Sequence, residues 1–169
     1  MQDESYIHRY LRYTANQESP DIFHIWGAIA TMAHAVGRNI WLDQSYFKIY
    51  ANQYIILVAG SGACKKGAAL GVARRLITDA LGEREDKLFI PGKIFKEALI
   101  RVMNKRVENP FTHAEERRVH RSITLFSPEL GSFLDRNMQQ SGMADFLTEI
   151  YDCPDDHDHV TKNAGVDKL

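Results

Sequence analysis

The chain has 169 residues, 44% of them hydrophobic, and a formal net charge of −1. That length supports one domain with its own core and makes stapling by disulfides or structural metals unnecessary. The near-neutral charge excludes a globally basic nucleic-acid binder, so any contact with a polyanion must come from a local patch.

The N-terminus, MQDESYIHRY, has neither a basic start nor an apolar h-region. Nothing further on approaches the ~20 apolar residues of a membrane span, and a soluble, cytoplasmic protein is expected. Residues 4–16 place Ile7, Tyr10 and Leu11 at helical spacing. Ser19-Pro20-Asp21 then caps a second helix from about Asp21 to Val36, whose stripe is Ile22, Ile25, Trp26, Ile29 and Met32 or Ala33, with Gly37 as its stop. Its small residues Gly27, Ala28, Ala30, Ala33 and Ala35 predict close packing against a neighbour. NIWLD and YFKIY read as short strands or an irregular hairpin, with Trp26 and Trp41 as core or interface anchors.

Tyr54 to Ala59 (YIILVA) is apolar on both faces, the pattern of a central parallel strand covered by helices. It runs into GSGACKKGA, and Gly67 to Leu81 has helical spacing up to a stop at Gly82. Lys87 to Ile90 reads as the next short strand, Lys93 to Arg106 as a basic amphipathic helix, and residues 107–121 as a polar surface loop. Ser122 to Phe126 (SITLF) reads as a buried strand, followed by a helix through Leu130, Phe133 and Leu134, and a last helix from Met143 to Tyr151. The alternation predicts an α/β fold with a mostly parallel sheet flanked by helices, preceded by a helical extension. Residues 1–50 would form that extension with its short strands, and 51–169 the core.

The glycine-rich stretch has the three parts a phosphate cradle needs: an expected strand leading in, small residues that bare backbone N–H groups, and a helix N-terminus facing the anion. Against G-x-x-x-x-G-K-[S/T], Gly60 and Lys66 stand at the first and seventh positions. Lys65 replaces the second glycine and cannot take positive φ as cheaply. Gly67 replaces the hydroxyl that binds Mg²⁺, and Ala68 does not restore it. The residues expected to surround a nucleotide are therefore Gly60, Ser61, Gly62, Ala63, Cys64, Lys65, Lys66, Gly67 and Ala68. The competing reading is a strand-to-helix turn with two solvated lysines.

Glu129, just past the SITLF strand, stands where a carboxylate would orient Mg²⁺ and an attacking water. Equally it suits a helix N-terminus capped by Ser127, with Pro128 in the first turn. The acidic string from Asp152 to His159 matches no zinc or calcium spacing and reads as a solvated turn. Cys64 and Cys153, the two cysteines, have dissimilar surroundings and no sequence partner that would activate either. Arg74, Arg75, Lys93, Lys96, Arg101, Lys105, Arg106, Arg117, Arg118 and Arg121 are candidate phosphate contacts for DNA or RNA, diluted by acidic neighbours.

The blocks SPDIFHIWGAIATMAHAVGRNIWL, FKIYANQYIILVAGSGACKKGAAL, ITLFSPELGSFL, LTEIYDCPD and HVTKNAG, in that order, resemble a phage and prophage family of P-loop ATPases of the primase/helicase-like kind. The resemblance implies a RecA-like or AAA+-like P-loop NTPase core acting on nucleic acid in phage DNA replication, with ATP and Mg²⁺ as cofactors and a homo-oligomer as the working state. In that family the loop often reads G-P-S-G-x-R-K-G-T, which makes Lys65, Lys66 and Gly67 ordinary and leaves Ala68 as the departure. Lys66 and Glu129 carry over as the catalytic residues and Glu129 as the metal ligand. Family members continue past the VTKNAG segment into a further strand, so an incomplete core is expected here.

The function expected from all this is ATP binding, with hydrolysis as an open capacity. The alternative is a non-catalytic interaction or nucleic-acid-binding module that keeps a degenerate phosphate loop.

Overall fold

A computed structural model describes residues 4–60, 62, 64–82, 89–91, 94–103, 107–108, 119–120, 123–134, 142–154, 158–161 and 165–168. Helix α1 (Tyr6–Thr14) starts at Ser5, whose hydroxyl accepts the His8 N–H at 3.4 Å, and buries Tyr10 and Thr14 on one side. Thr14 satisfies its own hydroxyl by donating to the Tyr10 carbonyl at 3.0 Å.

Helix α2 (Asp21–Val36) is entered through Pro20, with no side-chain cap. Its stop is as expected: Gly37 takes φ 53° and its N–H reaches the Ala33 carbonyl at 2.9 Å. The buried face is not the large apolar stripe. His24, Ala28 and Thr31 are buried, whereas Ile22 and Trp26 are exposed. The small residues decide this, because helices approach closely only where side chains are short. A Cβ on Gly27 would lie 2.9 Å from the Tyr10 hydroxyl oxygen and 3.5 Å from the Ala73 Cβ. Gly27 thus admits α1 on one side and α3 (Lys66–Leu81) on the other. Helix α3 answers with Ala69, Ala73, Ile77 and Leu81, a buried row at four-residue spacing.

Between α2 and α3 lies a hairpin of β1 (Trp41–Asp43) and β2 (Lys48–Tyr50), paired antiparallel with Trp41 opposite Tyr50. Its polar face is stacked: the Arg38 guanidinium lies 4.8 Å from the Tyr50 ring centre, and the Lys48 ammonium 5.2 Å from that of Trp41.

The remaining elements are β3 (Phe89–Pro91), α4 (Lys96–Met103), β4 (Val107–Glu108), β5 (Val119–His120), β6 (Thr124–Phe126), α5 (Leu130–Phe133), α6 (Met143–Tyr151), β7 (Asp158–Thr161) and β8 (Gly165–Lys168). Strand β6 joins two cores by its period of two. Phe126 packs with Leu70, Ala73, Ile77 and Leu81 of α3, and Thr124 on the same side meets His34 of α2 at 2.7 Å. Ile123 and Leu125, on the opposite side, pack with Ile94, Leu99, Ile100, Met143 and Phe146.

The expected P-loop NTPase fold is overturned. Among the described residues the strands form four separate two-stranded pairs. Three are antiparallel, and the one parallel pairing, β3 with β6, spans three residues from Phe89↔Thr124 to Pro91↔Phe126. No extended parallel sheet of the RecA or AAA+ kind is built from them. The decisive segment is Tyr54 to Ala59, expected at the centre of such a sheet and assigned to no strand. It keeps a strand-like alternation, with Tyr54, Ile56 and Val58 exposed and Ile55, Leu57 and Ala59 partly covered. An apolar run can supply two greasy faces, but a sheet also needs neighbours for its N–H and C=O groups.

Phe146 is fully buried at the centre of the second core. Phe146→Ala is expected to lower unfolding free energy by about 3–5 kcal/mol, read as a drop in the urea midpoint at unchanged slope.

Candidate functional site at the start of helix α3

Helix α3 begins where Lys65 adopts the left-handed conformation, φ 42° and ψ 42°. A residue with a Cβ pays for that geometry, and glycine does not. Two contacts from the linker between α1 and α2 hold it. The buried Ser19 hydroxyl donates to the Lys65 carbonyl at 2.9 Å, and the Lys65 ammonium pairs with the Glu18 carboxylate at 2.9 Å. The ion pair raises the pKa of Lys65, chiefly through its hydrogen bond to Glu18. Both partners are solvent-exposed, so the pair is weak and screened by salt. Ser19, expected to cap α2, therefore spends its hydroxyl on the loop 46 positions away.

Lys66 is the first residue of α3, and its ammonium folds back to donate to the Ala59 carbonyl at 2.7 Å. That bond ties the head of α3 back to the residue before Gly60 and holds a cation there. Gly62 has φ 74°, and a Cβ on Gly62 or on Gly67 would meet nothing within 4 Å, so the approach to the backbone is open at both. No acidic residue occupies the first turn of α3. An α-helix leaves its first N–H groups without intrahelical acceptors and carries partial positive charge at that end, so the site can receive an anion, with the Glu18 carboxylate on Lys65 as the acidic group at hand.

Gly60, Gly62, Cys64, Lys65, Lys66, Gly67 and Ala68 are thus gathered at one helix start, while Ser61 and Ala63 lie outside the described residues. Glu129 stands apart in sequence, three residues past Phe126, whose ring packs on α3. It is exposed and is itself the N-cap residue of α5, with its carbonyl accepting the Phe133 N–H at 3.3 Å. The expected Ser127 cap is not formed: that hydroxyl donates to the Glu129 carbonyl at 2.9 Å. Of the candidate basic contacts, Lys93, Lys105, Arg106, Arg117, Arg118 and Arg121 lie outside the described residues.

Around Cys153 the arrangement is structural. Arg38 donates to the carbonyls of Cys153 and Pro154, each at 3.1 Å, and Asn52 donates to that of Tyr151 at 2.7 Å. Burial pushes the Cys153 thiol up, with Arg38 opposing and Asp152 adding, which disfavours a nucleophilic thiolate. Burial likewise pushes the Tyr54 phenol up to about 12, and its hydroxyl donates to the Leu147 carbonyl. Residues 155–157 of the acidic string lie outside the described residues. Among the described residues no group of three His, Cys, Asp or Glu side chains is gathered to hold a metal, and no helix is long and apolar enough to cross a membrane.

No family model, curated protein or solved structure matches the chain.

Ser19 is buried and the Glu18 pair is exposed, and this contrast is measurable. Ser19→Ala is expected to cost about 1 kcal/mol in urea unfolding. Glu18→Gln should give a smaller loss that disappears in high salt.

Proposed function

We propose that the chain binds a nucleoside triphosphate, ATP in the first instance, through residues 60–68 and the N-terminus of α3. The observation that carries this reading is the Lys66 ammonium held across the loop on the Ala59 carbonyl. A phosphate arriving at the head of α3 would offer that cation a charged acceptor in place of a neutral one, a stronger hydrogen bond. The backbone N–H groups at the start of α3 would share the charge. Such binding needs a loop and a helix end, and does not depend on a parallel sheet.

The side chains at the start of α3 fit Mg²⁺ poorly, because Gly67 and Ala68 offer no oxygen. The ion would arrive on the phosphates and keep water at that position, with Glu129 as the carboxylate nominated to meet it or to orient an attacking water. Hydrolysis would be slow in the single chain, and a neighbour in a homo-oligomer would supply the further cation that phosphoryl transfer uses. Action on DNA or RNA, as in phage primase/helicase-like ATPases, is supported by the sequence resemblance.

A second reading, a non-catalytic interaction module, draws on the outward row Tyr54, Ile56 and Val58 directly before the loop. The two readings separate on one variant. Lys66→Ala should weaken ATP binding at least tenfold, about 1.4 kcal/mol, in titration calorimetry with and without Mg²⁺. Unchanged affinity would exclude a phosphate site at this loop. Ala68→Thr should raise turnover if the missing hydroxyl limits the chemistry, leaving affinity nearly unchanged.

A further inference from the structure

The interface between α1 and α2 contains a chemical inconsistency that the loop does not use. His24 is 1% exposed and Tyr10 3%, with their rings 6.3 Å apart and tilted at 46°. Among the described residues, both ring nitrogens of His24 and the hydroxyl oxygen of Tyr10 are buried without a hydrogen-bond partner. Buried polar atoms of this kind are rare, and each left unmatched weakens the contact that encloses it.

We propose that this interface is an acid-released joint, in which a proton taken up by His24 drives α1 and the linker of residues 15–20 away from α2. Neutral imidazole needs one donor and one acceptor, whereas imidazolium carries two N–H donors and a full charge. The groups facing it cannot accommodate that. Helix α1 presents Tyr10, and beyond it Tyr6, whose hydroxyl is engaged with Thr31 at 2.8 Å. The buried row of helix α3, Ala69, Ala73, Ile77 and Leu81, holds no titratable group, and its charged residues Lys66, Arg74, Arg75 and Asp79 lie off that row. On α2 itself, Asp21 is the one favourable charge, while His24 in the fourth position of the helix feels the positive end of the macrodipole.

Burial lowers the pKa of His24 from its ordinary value of 6.5, and Asp21 only partly opposes this. The folded protein therefore binds fewer protons at this site than the opened one once the pH falls below about 6.5. Above that value the joint has its full strength, and it loses strength as acid is added, down to the depressed pKa of the folded state. Opening relieves the cost because α1, nine residues long, is too short to stay helical without its packing. The same movement withdraws Glu18 and Ser19 from Lys65, so the clamp on the loop opens with the joint.

Amide hydrogen exchange of the intact chain between pH 7.5 and 5, corrected for the intrinsic pH dependence of exchange, tests this. Protection across residues 6–14 should fall below pH 6.5, by up to about tenfold per unit for a single linked proton. The row Ala69 to Leu81 in α3 should retain its protection over the same range. His24→Leu and His24→Gln should flatten the dependence. Tyr10→Phe and His8→Gln should keep it, the latter because His8, the imidazole on α1, is tied to Ser5 at 2.8 Å. A fall that persists in both His24 variants overturns the proposal. If those variants do not fold, the NMR titration of the His24 ring in the unmodified protein decides. A ring that protonates at or above 6.5 while α1 keeps its protection overturns it too, and a depressed value coincident with the loss of protection supports it.

Discussion

The arrangement of the N-terminal half depends on the absence of a single side chain at Gly27. The hydroxyl of Tyr10 lies 2.9 Å from where a Cβ would stand, and the methyl of Ala73 lies at ordinary packing distance from the same point, so α1 and α3 both meet α2 there. On α2 the face turned to its neighbours carries His24, Ala28 and Thr31, and Ile22 and Trp26 are left facing solvent. The same packing brings the linker between α1 and α2 against the start of α3. Without that seating, Ser19 would have no route to the Lys65 carbonyl.

A second dependence runs through β6. Its two faces touch different helices, so this three-residue strand holds the α3 core and the α4–α6 core at a shared element. The position of Glu129 follows from it, since the chain leaves β6 directly after Phe126 has been fixed against α3. Two nominated site residues are thus connected to one helix, Lys66 by being its first residue and Glu129 through the strand that packs on it.

Much of the candidate loop was legible because its signals are local. A positive-φ demand at the second glycine position of a phosphate loop can be read from spacing, and Lys65 does take φ 42°. What compensates for a lysine there could not be read, because Glu18 and Ser19 lie more than forty positions away. Ser19 followed by Pro20 has an obvious local use as a helix cap, and that use concealed its long-range one. Ser127 concealed its bond to the Glu129 carbonyl in the same way. His24 carried no signal at all, since a histidine beside alanines and glycine looks the same whether its nitrogens are satisfied or stranded.

Helix positions, the glycine stop after α2, the SITLF strand and the cation at the head of α3 were determined by the sequence alone, since each rests on contacts within a few residues. Pairing and facing were decided only in the tertiary structure. YIILVA has the composition of a central strand, but composition supplies side chains and not the neighbouring backbone that makes a strand part of a sheet. The buried face of α2 was settled by where two other helices pack on it, with α1 coming closest at Gly27, and not by the larger apolar residues around it.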